Sequence, residues 1–230
     1  MTMNFVIFGP PGSGKGTYSR RLQEKLGIPA ISTGDIFREA RQSGSELGNR
    51  VKGFMDRGEL VPDDITNEVL RERISKPDCE RGFILDGYPR TIEQAEYLET
   101  IRKIDAIINL IIPDEILIEK LTARRVCENC GDIYNIADID KTLDGVHYVL
   151  PPMSPKKEGR CDKCGARIVQ RPDDTEDVIR NRLEVYKRQS APVAEFYKSK
   201  VKFVDVHVTN GPEIMVPKIL DMLKKAKLVK

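Results

Sequence analysis

The chain has 230 residues, of which 40% are hydrophobic and 32% charged, and a formal net charge of +2 at pH 7. That length fits one domain of ordinary size with room for insertions and a full core. The composition is that of a globular protein, and the charge balance implies no strong field for polyanions. Trp is absent, which argues against a stacking platform for single-stranded nucleic acid. No apolar run approaches membrane-spanning length, and Met1 opens directly onto the first predicted strand, leaving no room for a signal peptide. The expected location is the cytoplasm.

The first elements carry the first chemistry. Residues 3–17 read MNFVIFGPPGSGKGT, a short apolar strand (4–8) running into a glycine-rich turn, and YSRRLQEKL continues a helix over about 15–26. Gly9, Gly12 and Gly14 allow backbone conformations closed to other residues and turn N–H groups inward. Around Gly12, Ser13, Gly14, Lys15, Gly16 and Thr17, the helix adds the positive end of its dipole and Lys15 a full charge. An ordinary βα turn needs only the glycines. Strand, glycines, lysine and helix in this order describe a phosphate-binding loop and hence a nucleoside triphosphate site. Gly16 departs from the usual GxxxxGK[ST] by standing between the lysine and the hydroxyl of Thr17.

GIPAIST (27–33) predicts a second short strand, followed by helices over DIFREARQ (35–42), ELGNRVKGFMDRG (46–58) and DITNEVLRERI (64–74). Cys79, alone ahead of the next strand, suits a small buried packing residue. FILDG (83–87) is an apolar strand closed by Asp86. A buried strand ending in an acid is what a phosphate-loop protein needs to organise Mg2+, although Asp86 would also serve as a helix cap. Arg90 lies at the same sheet edge as Lys15 if their strands are adjacent, which suits a second anionic group. PRTIEQAEYLETIRK (89–103) reads as helix, DAIINLIIP (105–113) as a strand buried on both faces, and PDEILIEKLTARRV (113–126) as helix.

From Cys127 to about Arg171 the chain turns rich in Gly, Pro, Asp and Cys. Helix returns over 175–200, a last strand over 201–208 and a closing helix over 212–228. Strands alternating with helices predict a doubly wound parallel α/β sheet, with the Cys-rich segment inserted into it. That segment holds Cys127/Cys130 and Cys161/Cys164, two CxxC pairs thirty residues apart, each followed by Gly. Such turns aim both thiolates at one metal, and two of them complete a tetrahedron. A closed four-thiolate set predicts a structural Zn2+, with Fe2+ or Co2+ as alternatives, and disulfides do not suit a cytosolic chain. His147, in the longer stretch between the pairs, is expected to be an exposed loop residue.

GPPGSGKGT with its extra glycine, ISTGDIFR (31–38), ELV (59–61), FILDGYPRT (83–91) and Gln94 occur in an order and spacing that resembles the adenylate kinases, nucleoside monophosphate kinases with a P-loop. The likeness extends over nearly the whole chain. It implies Mg2+-dependent transfer of the γ-phosphoryl group of ATP to AMP, giving two ADP. It also implies one P-loop kinase domain over 1–230 with two inserted subdomains, an NMP-binding insertion (32–61) and a metal-bearing lid (124–174). By the same resemblance Thr33, Arg38, Glu59, Leu60, Val61, Gly87, Arg90 and Gln94 match the AMP pocket. Gln94 can both donate to and accept from an adenine edge, and Thr33 can also be read as a helix N-cap ahead of Asp35.

Arg124, Arg171 and Arg182 match the family's phosphate-clamping positions, with Asp173 and Asp174 matching the carboxylates that orient them. The set implied as catalytic is Lys15, Arg38, Asp86, Arg90, Arg124, Arg171 and Arg182. A planar guanidinium grips phosphate in a fixed orientation, whereas among 38 basic residues any one arginine can also be a solvated surface group. Ile133 and Tyr134 match lid positions whose backbone nears the ATP ring. Lys120 stands where many relatives carry an arginine. Rival readings are a kinase of another base preference (UMP or CMP as acceptor, GTP as donor) and a zinc-ribbon nucleotide switch that binds nucleic acid. The expectation is a monomer without nucleic-acid or membrane partners.

Overall fold

A computed structural model describes residues 2–229; Met1, on which the reading of the amino terminus rests, lies outside them. The apolar runs assemble a five-stranded parallel sheet in the order β10-β4-β1-β3-β2. Its strands are β1 (Met3–Phe8), β2 (Ala30–Ser32), β3 (Gly82–Asp86), β4 (Ala106–Ile111) and β10 (Lys202–His207), numbered along the chain. Side chains alternate across the pleat, so neighbouring residues of β1 enter different cores. Phe5 and Ile7 pack with Tyr18 and Leu22 of α1 (Lys15–Leu26) and Ile219 of α9 (Pro212–Lys225) on one face. Val6 and Phe8 pack with Leu98 of α5 (Ile92–Ile101) and Val193 of α8 (Ala191–Lys198) on the other. Burial on both faces explains the continuous apolar runs.

Two excursions leave this sheet above the carboxyl ends of its strands. Between β2 and β3 run α2 (Thr33–Gln42), α3 (Glu46–Arg57) and α4 (Asp63–Ile74), around a small core of Phe37, Val51, Val61 and Ile65. Between α6 (Asp114–Thr122) and α7 (Glu176–Val185) lie β5 (Arg124–Cys127), β6 (Ile133–Asn135) and β9 (Ile168–Val169), joined antiparallel. The same excursion holds a hairpin of β7 (Ile139–Leu143) and β8 (Val146–Leu150). Its two-residue turn, Asp144-Gly145, has φ of 48° and 77°, the left-handed pair that matches strand twist.

Three predicted boundaries shift. The helix expected through Val126 ends at Thr122, because Arg124–Cys127 pairs as a strand with β6 and β9. The helix expected from Pro89 begins at Ile92, where the Thr91 hydroxyl accepts from the Gln94 N–H. The helical stretch 175–200 is α7 and α8 joined by one π-turn, Tyr186–Ser190. Pro192 supplies no N–H there, and the wider turn accommodates the missing bond. Cys79 is buried, as its neighbours suggested.

Candidate active site

β1 ends at Phe8 and its loop delivers Lys15 to the start of α1. Gly14 caps that helix with φ 97°, and a Cβ there would sit 2.8 Å from the Tyr18 ring. No side chain caps α1, so its first N–H groups remain free for an anion. Lys15 Nζ lies over the loop, donating to the carbonyls of Gly9 (2.7 Å) and Pro10 (2.8 Å). Burial pushes its ammonium down to about 7; Asp86 opposes this, and Arg90, Arg182 and Arg124 add to it. Asp86 stands beside Ile7 in the register of β3 on β1, and burial raises its pKa while Lys15 pulls it back. Gly16 lies between this carboxylate and the second excursion: a Cβ would come 3.4 Å from Asp86 Oδ2 and 3.3 Å from Ile133 Cδ1.

The second end of the cleft is organised from α2, β3 and α5. Thr33 Oγ1 donates to the Gly87 carbonyl (2.9 Å), and Arg90 Nε donates to the same oxygen (2.8 Å). Ser32, not Thr33, caps α2 by accepting from the Asp35 N–H, which leaves Thr33 to face the cleft. Arg38 pairs with Asp35. Gln94 is 2% exposed. Its Oε1 accepts from the Arg90 N–H (2.7 Å) and its Nε2 donates to Asp63 (2.6 Å). Leu60 and Val61 line the wall, while Glu59 forms an ion pair with Arg57 at 2.8 Å.

The arginines at the roots of the second excursion close the cleft. Arg124 grips Asp174 with Nε (2.8 Å) and Nη2, and Arg182 reaches Asp173 (2.9 Å) and Asp174 (3.3 Å). Arg171 is 7% exposed and its Nε has no hydrogen-bond partner among the described residues. Burial holds this guanidinium well below its ordinary pKa, and Arg124 and Arg38 deepen the shift. Seven cationic side chains line the cleft against four carboxylates. Asp174 offsets part of this excess through Arg124 and Arg182, and the remainder suits a polyanionic ligand. Lys120 also lines the cleft, and burial pushes it down to about 8. The excursions touch: Gln42 Nε2 donates to the Glu128 carbonyl (3.1 Å), and Arg20 bridges Asp35 (3.2 Å) and the Gly131 carbonyl (2.9 Å).

Ile133 faces the cleft, whereas the Tyr134 side chain turns the other way, toward the cysteines. Its hydroxyl donates to Cys161 Sγ (3.5 Å) and accepts from the Asp162 N–H (2.8 Å). The sulfurs of Cys127, Cys130, Cys161 and Cys164 all lie within 4.8 Å of one another, with three contacts of 3.4–3.6 Å. A zinc tetrahedron with ordinary Zn–S bonds places sulfurs about 3.8 Å apart, and a disulfide would need about 2.05 Å. The four thiols therefore fit one tetrahedral metal and not two bridges.

A model of the adenylate kinase family matches residues 7–202. Among curated proteins the chain is 44% identical over 230 residues to an adenylate kinase of Archaeoglobus fulgidus, covering 98% of this chain and all of that one. It is 43% identical to an adenylate kinase of Thermosipho melanesiensis, covering 97% of this chain and all of the relative. An adenylate kinase of a Geobacillus strain is 49% identical over 203 residues, 86% of this chain and 88% of the relative. The chain belongs to the adenylate kinase family.

This adenylate kinase chain gathers its predicted residues unevenly. Lys15, Arg38, Asp86, Arg90, Arg124, Arg171 and Arg182 line one cleft, as do Thr33, Gln94, Lys120 and Ile133. Tyr134 and the four cysteines stand apart from it. His147 is exposed as expected but stands in β8 and not in a loop, pairing with Asp140 at 2.6 Å away from the cysteines. Sequence reasoning missed Asp63, which accepts from both Gln94 and Thr91 (2.9 Å). It opens α4, 28 residues from Thr91 and 31 from Gln94, and its signal resembles any acid in a helix's first turn. Met153, also in the cleft, was hidden in a Pro-rich loop.

Proposed function

We propose that the protein catalyses reversible, Mg2+-dependent transfer of the γ-phosphoryl group of ATP to AMP, giving two ADP. The observation that carries this reading is the unbalanced cationic cleft, running from the phosphate loop to Gln94 with the unpartnered Arg171 Nε inside it. A chain that only switched on one nucleotide would need a single phosphate site. Here two sets of phosphate-binding groups face each other. Lys15 and the start of α1 hold the donor's phosphates, with Gly12, Ser13, Gly14, Gly16, Thr17, Lys120, Ile133 and the Tyr134 backbone on the ATP side. Arg38, Arg90 and the pocket of Thr33, Glu59, Leu60, Val61, Gly87 and Gln94 hold AMP.

Phosphoryl transfer asks the protein to align the partners, neutralise the equatorial oxygens and keep water out. Arg124, Arg171 and Arg182 would face the transferring group, with Asp173 and Asp174 fixing the orientation of Arg124 and Arg182. Asp86 and Thr17 are the oxygen ligands this chain offers beside the loop, and Mg2+ arriving with ATP would supply charge there to neutralise the phosphates. The extra glycine leaves that space open.

We read 32–61 as the NMP-binding insertion and 124–174 as the lid of a single kinase domain (1–230). The four thiols would hold a structural Zn2+; the same tetrahedral set suits Fe2+ or Co2+. We take the working unit to be a cytoplasmic monomer with ATP, AMP and ADP as its partners. The near balance of charge supports the absence of a nucleic-acid partner. No helix among the described residues is long and apolar enough to cross a membrane. Steady-state rates over a matrix of donors (ATP, GTP) and acceptors (AMP, UMP, CMP) test the reading. ATP with AMP should give the highest kcat/KM, and a preference for UMP or for GTP would overturn the assignment.

A further inference from the structure

The segment between α6 and α7 has two separate apolar cores. Cys127, Tyr134 and Cys161 gather a small cluster of their own with Ala166 and Ile168. Ile139, Tyr148 and Leu150 of the β7–β8 hairpin are instead buried in the main cluster, with residues of the sheet, α6 and α9. Ile139 and Leu150 are cross-strand partners and Tyr148 lies two residues along, so all three share one face of the hairpin. They are 1%, 6% and 7% exposed.

Polar contacts fasten the same hairpin. The Val149 N–H donates to the Thr209 carbonyl at 2.8 Å, in the loop after β10. Pro151 lies over Gly211, where a Cβ would come within 3.3 Å of the ring. Lys141 pairs with Glu119 of α6 at 2.5 Å. The chain then returns to the root of the lid: the Met153 N–H donates to the Asn135 carbonyl (2.7 Å) and its carbonyl accepts from Asn135 (3.3 Å). The Asn135 side chain is engaged at both ends, donating to the Lys120 carbonyl (2.7 Å) and accepting from the Ala137 N–H (3.0 Å). Met153 is left facing the cleft beside Lys120 and Ile133.

We propose that residues 138–153 form a stationary wall of the donor site, anchored in the core, and that Met153 is the side chain through which this wall positions the donor's base. The lid that swings is then only the cysteine-bearing part, hinged where Asn135 meets Met153 and where β9 leads to Arg171. Moving the hairpin with it would expose three large apolar side chains and break the bond to Thr209. Moving the knuckles breaks the polar contacts of Arg20 and Gln42 and the approach of Ile133 to Gly16, and exposes no large buried side chain of the main core. A thioether suits this place because it packs on a flat ring without demanding a hydrogen bond. The assignment of a donor base to Met153 rests on the ATP:AMP reading; the division of the insertion does not.

Hydrogen exchange by mass spectrometry on the metal-loaded full chain, before and after chelation, tests the division. Amides of 139–150 should exchange as slowly as those of β1 and β4 and stay protected when the metal is removed, while 127–134 and 160–168 lose protection. Loss of protection in both segments together would overturn the wall. Met153→Ala should raise the KM for ATP about five- to tenfold at unchanged kcat and unchanged KM for AMP, as expected when only uniform donor binding is lost. Met153→Leu, which keeps the volume, should restore it. An unchanged KM for ATP, or a parallel rise in both, removes Met153 from the donor site. A chain without any ATP:AMP activity would refute the functional reading while the exchange result still decides the wall.

Discussion

Asp174→Asn isolates what the buried carboxylates do for the clamp. The Asp174 side chain is fully buried and accepts from Arg124 Nε (2.8 Å), Arg124 Nη2 and Arg182 Nη1 (3.3 Å). The amide keeps the shape but turns one acceptor into a donor that faces a guanidinium, and removes the charge that two arginines share. Breaking a buried pair on one side costs about 3–5 kcal/mol. The lower end applies, since Arg124 and Arg182 are 14% and 20% exposed and water entering the cleft can solvate them. At about 2–4 °C per kcal/mol for a chain of this size, 3 kcal/mol lowers Tm by about 6–12 °C. Released from a fixed orientation, the clamp should lose about 10²-fold in kcat, the scale of a misplaced transition-state contact. A bound bisubstrate polyphosphate replaces the missing negative charge, so it should recover most of the lost Tm. Calorimetry with and without such a ligand, beside a coupled ADP assay, reads all three effects. A variant that melts within 1 °C of the parent, or that gains nothing from the polyanion, refutes the claim that the cluster is held by charge balance.

Lys15→Ala and Arg90→Ala should each lower kcat by about 10³-fold or more with little change in Tm, measured by the same assay and calorimetry. Lys15 has a folded pKa near 7, below its unfolded value of 10.5. Between those limits the unfolded chain keeps the proton and the folded chain does not, so this group's contribution to stability rises with pH across the window. A bound polyphosphate reverses the burial effect, so ATP binding at pH 8 should take up about one proton. Titration calorimetry in buffers of different ionisation enthalpy measures this, and proton release would contradict it. Cys161→Ser should reduce metal content to below one per chain and lower Tm, leaving kcat within a few-fold of the parent in the folded fraction. Metal analysis with kinetics on the same sample checks it, and lost catalysis in a chain that keeps its metal would make the site more than structural.

Much of the site was legible because its chemistry is local. The loop of Gly12–Thr17, the acid closing FILD and the two CxxC pairs each need residues adjacent in sequence; all of them but Ser13, which is buried behind the loop, line the cleft or gather their sulfurs. The sheet was legible for a related reason: strands buried on both faces read as unbroken apolar runs, and β1 and β4 are such runs. What escaped depends on partners distant in the chain. Arg124–Cys127 continues a helical pattern in sequence and becomes a strand only because β6 and β9 pair with it. Gln94 read as a base contact, and its amide also ties Arg90 to Asp63, which no spacing reveals. The hairpin of 139–150 alternates like any exposed ribbon; that its apolar face joins the sheet's own core, fastened at Glu119 of α6 and at Thr209 after β10, is set by partners far away in the chain.

Gly16 joins the two kinds of information. As sequence it is one residue too many between the lysine and the hydroxyl, and it marks a branch of P-loop proteins. In the fold it has no positive φ to satisfy, so backbone freedom is not the reason for it. A methyl group there would meet Ile133 Cδ1 at 3.3 Å and Asp86 Oδ2 at 3.4 Å, a snug fit between the acid and the second excursion. That space lies between the buried acid at the end of β3, the start of α1 and Ile133, where the proposed reaction needs the donor's phosphates to fit. The glycine is therefore readable in sequence as a departure from a motif, and in the fold it keeps the snug space where Ile133 of the second excursion approaches the start of α1.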